Sequence, residues 1–231
     1  MVKNIRRALF AIFFAIMIFF SVKNFADSET SCKVLNDGYY LGISIGYDAF
    51  SIEDKMDHPE LLSYDPTLNI NGVMGGIFVG YRKFFERFYN TYLGSEFFIN
   101  GNSANSDYRL IFNDDTLTTD VNVISNYGFS LMPGIRINPS SMFYLRLGYN
   151  WLKIEVDQIN TNPNFSALDF NDFNTLHGIK YGLGLETVFF KRLDFRFEYQ
   201  FSKYNSMETH TTAVISPKDH QWVAGLVYRI S

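Results

Sequence analysis

"LDFRFEYQFSKY", residues 193–204, alternates for nine residues between large apolar and polar side chains. Leu193, Phe195, Phe197, Tyr199 and Phe201 share one face of an extended chain, and Asp194, Arg196, Glu198, Gln200 and Ser202 share the other. A period of two is the signature of a β-strand. It leaves open which face meets water. In a soluble sheet the aromatic face is the core; in a membrane barrel it meets lipid and encloses the charges.

Working outward, a two-residue turn, Lys191–Arg192, joins this stretch to a similar one at Thr175–Phe189. Further strands are read at Gly38–Ile52, Gly72–Arg82, Tyr89–Ile99, Asp120–Ile137, Met142–Val156 and Gln221–Ile230, which makes eight. Most exceed the five or six residues of an average soluble strand and reach the 9–11 that cross a tilted bilayer. "KFFERF" (83–88), "NPSS" (138–141) and "KR" are short connections, and "NPSS" has good turn chemistry. The alternate connections are long and polar: Glu53–Asn71, Asn100–Thr119, Asp157–Asn174 and Asn205–His220. A meander with one plain end and one elaborate end has the asymmetry of an outer-membrane barrel.

Glycine and charge choose the inner face. Gly42, Gly46, Gly76, Gly80, Gly94, Gly128, Gly134, Gly148, Gly178, Gly182, Gly184 and Gly225 all fall opposite the large apolar residues. Glycine weakens a solvated strand, but it makes room inside an eight-strand barrel, whose interior is filled by side chains. On the same face parity places Arg82, Glu96, Arg136, Arg146, Lys180, Glu186, Arg196, Glu198 and Arg229. Enclosed charges have to pair, because an isolated one is very costly. The outward set, including Leu41, Ile43, Ile45, Ile77, Val79, Phe129 and Leu145, reads as a lipid belt. Tyr47, Tyr81, Trp151, Tyr199, Trp222 and Tyr228 near strand ends read as interfacial girdles.

The N-terminus fits an exported protein. Lys3, Arg6 and Arg7 precede an unbroken apolar run from Ala8 to Phe20, the pattern of a signal peptide. The domain expectation is a signal peptide over 1–26, a short leader over 27–37 and a barrel over 38–231. "ETSC" lacks the apolar residue that a lipoprotein signal requires, so Cys32 reads as an ordinary thiol; as the only cysteine it has no partner within the chain. A net charge of −4 gives no electrostatic reason to expect nucleic acid.

The stretches "GGIFVGYR" (75–82), "LMPGIRINPSSMFYLRLGYNW" (131–151), "GIKYGLGLETVFFKRLDFRFEYQF" (178–201) and the ending "GLVYRIS" resemble the small eight-stranded outer-membrane barrels of Gram-negative bacteria, the opacity-protein and outer-membrane-protein-A-like group. The resemblance implies an all-β, antiparallel, up-and-down transmembrane barrel in the bacterial outer membrane. It implies contact with lipid and lipopolysaccharide and insertion by the barrel assembly machinery. Gly225, Tyr228 and Ile230 sit where that group carries its assembly signal, although this chain ends Ile-Ser where a terminal Phe is usual.

The function expected on this basis is a surface protein whose exposed loops meet host-surface molecules, as an adhesin, a surface antigen or a guardian of envelope integrity. No catalytic, cofactor-binding or metal residue is expected, and no cofactor. A small passive channel and a lipid-modifying enzyme are the alternatives. An enzyme needs a nucleophile beside a base. His177, His210 and His220 fall near the outer rim with Ser202, Ser206 and Thr211, and His58 lies in a polar loop, but no His–Ser pair shares one strand face.

Overall fold

Alternation by two produces ten strands among the described residues, and no helix. The computed structural model describes residues 34–56, 67–85, 90–112, 115–160, 170–208 and 213–230; the signal peptide read at 1–26, most of the leader, His58, His210 and Thr211 lie outside them. The strands are β1 (Gly38–Met56), β2 (Thr67–Phe85), β3 (Thr91–Asn102), β4 (Asn105–Phe112), β5 (Asp115–Asn138), β6 (Ser141–Asn160), β7 (Phe170–Phe190), β8 (Leu193–Tyr204), β9 (Met207–Glu208) and β10 (Ala213–Arg229). Neighbours pair antiparallel in the order β1-β2-β3-β5-β6-β7-β8-β10, and β10 returns to β1, so eight strands close a ring. Closure pairs the backbone groups along the ring, which is what the hydrocarbon layer demands.

Tight turns hold the plain end. Asn138 Oδ1 accepts hydrogen bonds of 2.9 Å from both the backbone and the hydroxyl of Ser140, closing the β5–β6 turn. Asn90 enters β3 with φ of 56°, a left-handed conformation that Asn tolerates. Here residues 34–37 fold back into the mouth of the barrel. Leu35 is fully buried, and its carbonyl accepts from Arg136 at 2.6 Å. Arg229 donates to Val34 O at 2.6 Å and Arg82 to Asn36 O at 3.1 Å. The start of the leader's described part is thus the stopper of this end.

Inside, aromatic side chains lie against glycines. A Cβ added at Gly80 would run into the Tyr40 ring, at Gly42 into Phe78, at Gly94 into Tyr92 and at Gly184 into Tyr144. These pairs explain why glycine and the large interior residues share one face. Gly75 faces out, where an added Cβ meets nothing closer than Ser44 O at 3.9 Å.

The strands run further than the sequence indicates. The described parts of the segments read as loops at Glu53–Asn71, Asn100–Thr119, Asp157–Asn174 and Asn205–His220 are mostly strand: β1 continues to Met56, β6 to Asn160, β7 starts at Phe170 and β10 at Ala213. The reason is an inversion of polarity along each strand. In β1, Ile43, Ile45 and Tyr47 face outward and Asp48 inward, but one step on Phe50 is the buried residue. In β6 the outward run ends at Trp151, and Leu152, Ile154 and Val156 point in. In β5 a bulge between Val123 and Ser125 shifts the parity, so that Val121 and Val123 are buried whereas Phe129 and Leu131 face out. Below the inversion the strand suits lipid outside and polar groups inside; above it, water outside and an apolar core.

Above the inversion the ladder pairing between two halves of the ring ends. One further backbone hydrogen bond crosses each junction, from Ser103 to Val73 O at 3.0 Å and from Asn205 to His177 O at 2.9 Å. The β2–β3 ladder stops at Met74–Asn102 and the β7–β8 ladder at Gly178–Tyr204. Beyond them β9, β10, β1 and β2 form one sheet and β4, β5, β6 and β7 the other. Phe50 and Ile70 from the first pack with Val121, Val123, Leu152, Ile154, Val156 and Leu176 from the second.

A glycine test separates interior from lipid face. Gly184→Val is expected to displace Tyr144 and lower the urea-unfolding free energy of the micelle-refolded barrel by about 1–3 kcal/mol. Gly75→Val is expected to leave that free energy within about 0.5 kcal/mol of the wild type, as surface changes do.

Candidate functional site

Parity alone sets which charges are enclosed; the register sets which of them meet. Arg229 Nε lies 3.3 Å from Asp194 Oδ1, and Asp194 Oδ2 lies 2.8 Å from Arg82. Arg82 pairs with Glu186, whose other oxygen accepts from Arg196 at 2.9 Å. Arg196 pairs with Glu96, Glu96 with Arg146 at 2.7 Å, and Arg146 with Glu198 at 2.8 Å. The result is one chain of alternating sign, Arg229–Asp194–Arg82–Glu186–Arg196–Glu96–Arg146–Glu198, with four cations and four anions. All eight side chains are nearly inaccessible.

Aromatic groups complete the chain. Tyr40 donates its hydroxyl to Glu96 at 3.1 Å, and Tyr144 donates to Glu198 at 2.5 Å. The Arg196 guanidinium lies 4.7 Å from the Phe78 ring centroid and 5.3 Å from that of Tyr40, so its flat faces meet π-density as its edges meet carboxylates. The rings that need glycines opposite them are the rings that surround the charges.

The remaining two of the nine sequence-read residues stand apart from the chain. Arg136 lies at the plain end, over Phe84 at 4.0 Å and bonded to Leu35 O. Lys180 lies above the chain, donating to Gln200 and Gln221 and sitting 4.5 Å from the Phe98 ring centroid. Sequence reasoning missed three interior acids, Asp48, Asp194 and Asp219, all fully buried. Each has the interior parity, so the signal existed. Asp194 adjoins a turn, Asp48 ends the lipid-facing run, and Asp219 falls in a segment read as loop.

The filled interior leaves little free volume. A cavity of about 20 Å³ beside Glu96, Arg146 and Arg196 has room for one or two waters. Apolar clusters close it on both sides: Leu35, Phe84, Tyr92, Met132 and Met142 toward the plain end, and Phe50, Leu152 and Ile154 beyond the inversion.

The histidines lie elsewhere. His177 faces out and stacks on Tyr149, with ring centroids 6.0 Å apart, and His220 Nδ1 lies 2.7 Å from the Tyr199 hydroxyl. Both belong to an outward band with Trp151, Tyr181, Phe201 and Trp222, as expected of an outer interface. Ser202 points inward, within 3.4 Å of Asn150, so the sheet separates it from both histidines. No group of three or more metal-ligating side chains occurs among the described residues.

A closed eight-strand ring, outward apolar belt and paired interior define an integral outer-membrane barrel. The sequence matches the outer membrane protein β-barrel domain over residues 12–229, and the chain belongs to that family. Its place is the bacterial outer membrane. No curated protein matches the sequence. Among solved structures it is similar to Ail, the attachment invasion locus protein of Yersinia pestis, solved with the heparin analogue sucrose octasulfate: 18% identity, 84% of this chain and 99% of that one, TM-score 0.43. It is similar to Neisserial surface protein A at 14% identity, over 81% of this chain and 97% of that one, TM-score 0.41. The outer-membrane protease OmpT of Escherichia coli matches at 8% identity, over 87% of this chain and 100% of that one, TM-score 0.43.

Removing one member of a buried ion-pair set leaves its partner's charge exposed to a low dielectric. Arg196→Leu is expected to cost about 3–5 kcal/mol in urea unfolding from micelles. The double change Arg196→Leu with Glu96→Gln, which leaves three cations and three anions, is expected to recover part of that loss. A single variant as stable as the wild type would mean that water reaches these carboxylates.

Proposed function

We propose that the protein is a non-conducting surface receptor of the outer membrane that binds extracellular proteins through the two sheets standing above the lipid. The observation that carries this reading is the end of ladder pairing at Met74–Asn102 and Gly178–Tyr204. Among the described residues β4 pairs only with β5, and the upper part of β7 pairs only with β6. Each offers a row of backbone donors and acceptors to an extended segment of another chain, the geometry of strand addition. The partner is a host-surface or matrix protein, and the role is adhesion.

Two further features support the reading. The interior is packed and charge-paired, which favours a rigid support over a channel. The outward girdle suits a fixed depth in the membrane, so the sheets project by a constant amount. Tyr228 on β10 and Ile230 just past its end are exposed, while Gly225 lies inward against Phe78, an arrangement that supports the assembly-signal role proposed for these three residues.

Replacing Asp107–Asp120 with Asn-Gly shortens the β4–β5 hairpin and removes that free edge. The barrel is expected to keep its heat-modifiable gel mobility, while cells displaying it lose adherence to immobilised matrix protein. Undiminished adherence by a folded variant would exclude the β4 edge. In planar bilayers the purified wild type is expected to show no stepwise conductance, and steady ion-selective steps would favour the channel.

A further inference from the structure

The ion-pair chain is balanced, but the layer above it is not. Asp48 on β1, Asp219 on β10 and Lys180 on β7 are all buried and inward. Asp48 stands opposite Gln221 and Asp219 opposite Phe50 in the β1–β10 ladder, so the carboxylates are diagonal neighbours on one face. That relation brings Cβ atoms within about 7–8 Å or less. Ser202 pairs with Lys180 on one side and Asp219 on the other, which puts all three in one row.

Donors are scarce in this layer. Lys180 directs its Nζ to Gln200 Oε1 at 2.9 Å and Gln221 Oε1 at 2.8 Å, both uncharged. Asp48 accepts from Asn102 and faces the Gln221 amide opposite it in the ladder, whereas both oxygens of Asp219 have no donor among the described residues. Asn150 Oδ1 is likewise without a donor. The charges acting on Asp219 are Asp48 and Lys180. From β8 the layer is faced by Tyr204 and Glu198 and from β6 by Arg146, the last two already paired to each other at 2.8 Å. β2, β3 and β5 contribute Met74, Asn100 and Asn126, which do not titrate. Two acids against one lysine leave one negative charge in excess, below a roof of Phe50, Leu152 and Leu176.

We propose that Asp219 binds a proton at neutral pH and donates it to Asp48, so that the two acids form a carboxyl–carboxylate pair at the base of the extracellular sheets. Two neighbouring buried carboxylates do not ionise together without large repulsion, and one proton both removes the excess charge and supplies a missing donor. Asp219 sits three residues beyond Trp222, level with the outward Lys203 and Lys218, and so at the water side of the girdle. Its ladder partner Phe50 belongs to the core that joins the two sheets. Loss of the proton places an unpaired charge directly beneath that core.

The sign follows from linkage. An unfolded aspartate releases its proton near pH 3.9, whereas the folded pair retains one. The contribution is complete below about pH 4 and is lost as pH rises through the pair's own, higher value. An alkaline medium therefore loosens the sheets, and an acidic one tightens them.

The test uses the refolded full barrel labelled with ¹³C-aspartate. Infrared difference spectra at pH 7 are expected to show the C=O stretch of a protonated carboxyl, absent in Asp219→Asn. The wild-type urea midpoint is expected to fall between pH 5 and 8.5, while the Asp219→Asn midpoint stays level and exceeds the wild type at the alkaline end. Absence of the protonated band in the wild type overturns the proposal whether or not the variant folds. A wild-type midpoint that follows sodium concentration at constant ionic strength also overturns it, by assigning a metal cation to the pair.

Discussion

Arg196 stands at the centre of the barrel, and everything around it answers to the cost of a charge in a medium that hydrates it poorly. It reaches Glu96, Glu186 and the rim of Glu198, and its faces lie against Phe78, Tyr40 and Tyr144. Those rings occupy the width of the lumen, so the strands opposite them carry glycine: Gly42 faces Phe78, Gly80 faces Tyr40 and Gly184 faces Tyr144. Residues from β3, β6, β7 and β8 are tied together by this one guanidinium and the carboxylates it holds. Whether such a set adds net stability over an apolar filling is a separate matter, since buried pairs often break even. The set also depends on the register of the strands that carry it. A strand slipped by one residue turns its charge to the lipid and its leucines to the lumen.

The second constraint is that each strand lives in two solvents. β1 rises about 60 Å over its 19 residues, far beyond the hydrocarbon layer. A strand with one polarity throughout would be wrong for one of the two surroundings. The chain solves this by reversing the alternation at the aromatic band: Tyr47 gives way to Phe50, and Trp151 to Leu152. In β5 the reversal comes from a bulge rather than from composition, which turns Val121 and Val123 inward. The same physical rule, apolar atoms away from water, therefore produces opposite patterns a few residues apart.

Much of this was legible in the sequence, and the limits have physical causes. The alternation in "LDFRFEYQFSKY", the sided glycines and the short turns gave the closed barrel, because each reports a local geometry of period two. The faces of Arg82, Glu186 and Arg196 followed from parity. Their partners did not, because pairing depends on shear between strands as far apart as Arg82 and Asp194. Asp194 stood on the Arg196 face in the alternation but was not counted among the enclosed charges, and Asp219 was missed where an apparent loop hid the continuing period. The polar segments above the band read as loops because a solvated strand with a thin apolar face, such as "NIN" at 69–71, lacks the strong contrast of a lipid-facing one. The inward parity of Leu152, Ile154 and Val156 is visible in the sequence, but parity alone does not show that the surroundings change from lipid to water at Trp151. As to the role, alternation reports where a strand lies and not what touches its edge.

The plain end bears on what the open end can do. Val34, Leu35 and Asn36 present their carbonyls to Arg229, Arg136 and Arg82, so the mouth is shut by backbone rather than by a separate plug. Arg82 and Arg229 also belong to the ion-pair chain, which couples that stopper to the centre of the barrel. A tube fixed from stopper to apolar roof has little freedom to breathe, and its stiffness passes to the sheets through the continuous strands β1, β6 and β10. Unpaired strand edges are ordinarily a hazard, because they recruit other chains without choice. In the proposed receptor, the edges left without a ladder partner among the described residues stand beyond the lipid on a packed support. Rigid presentation of that kind would let shape and side chains select among extended partners.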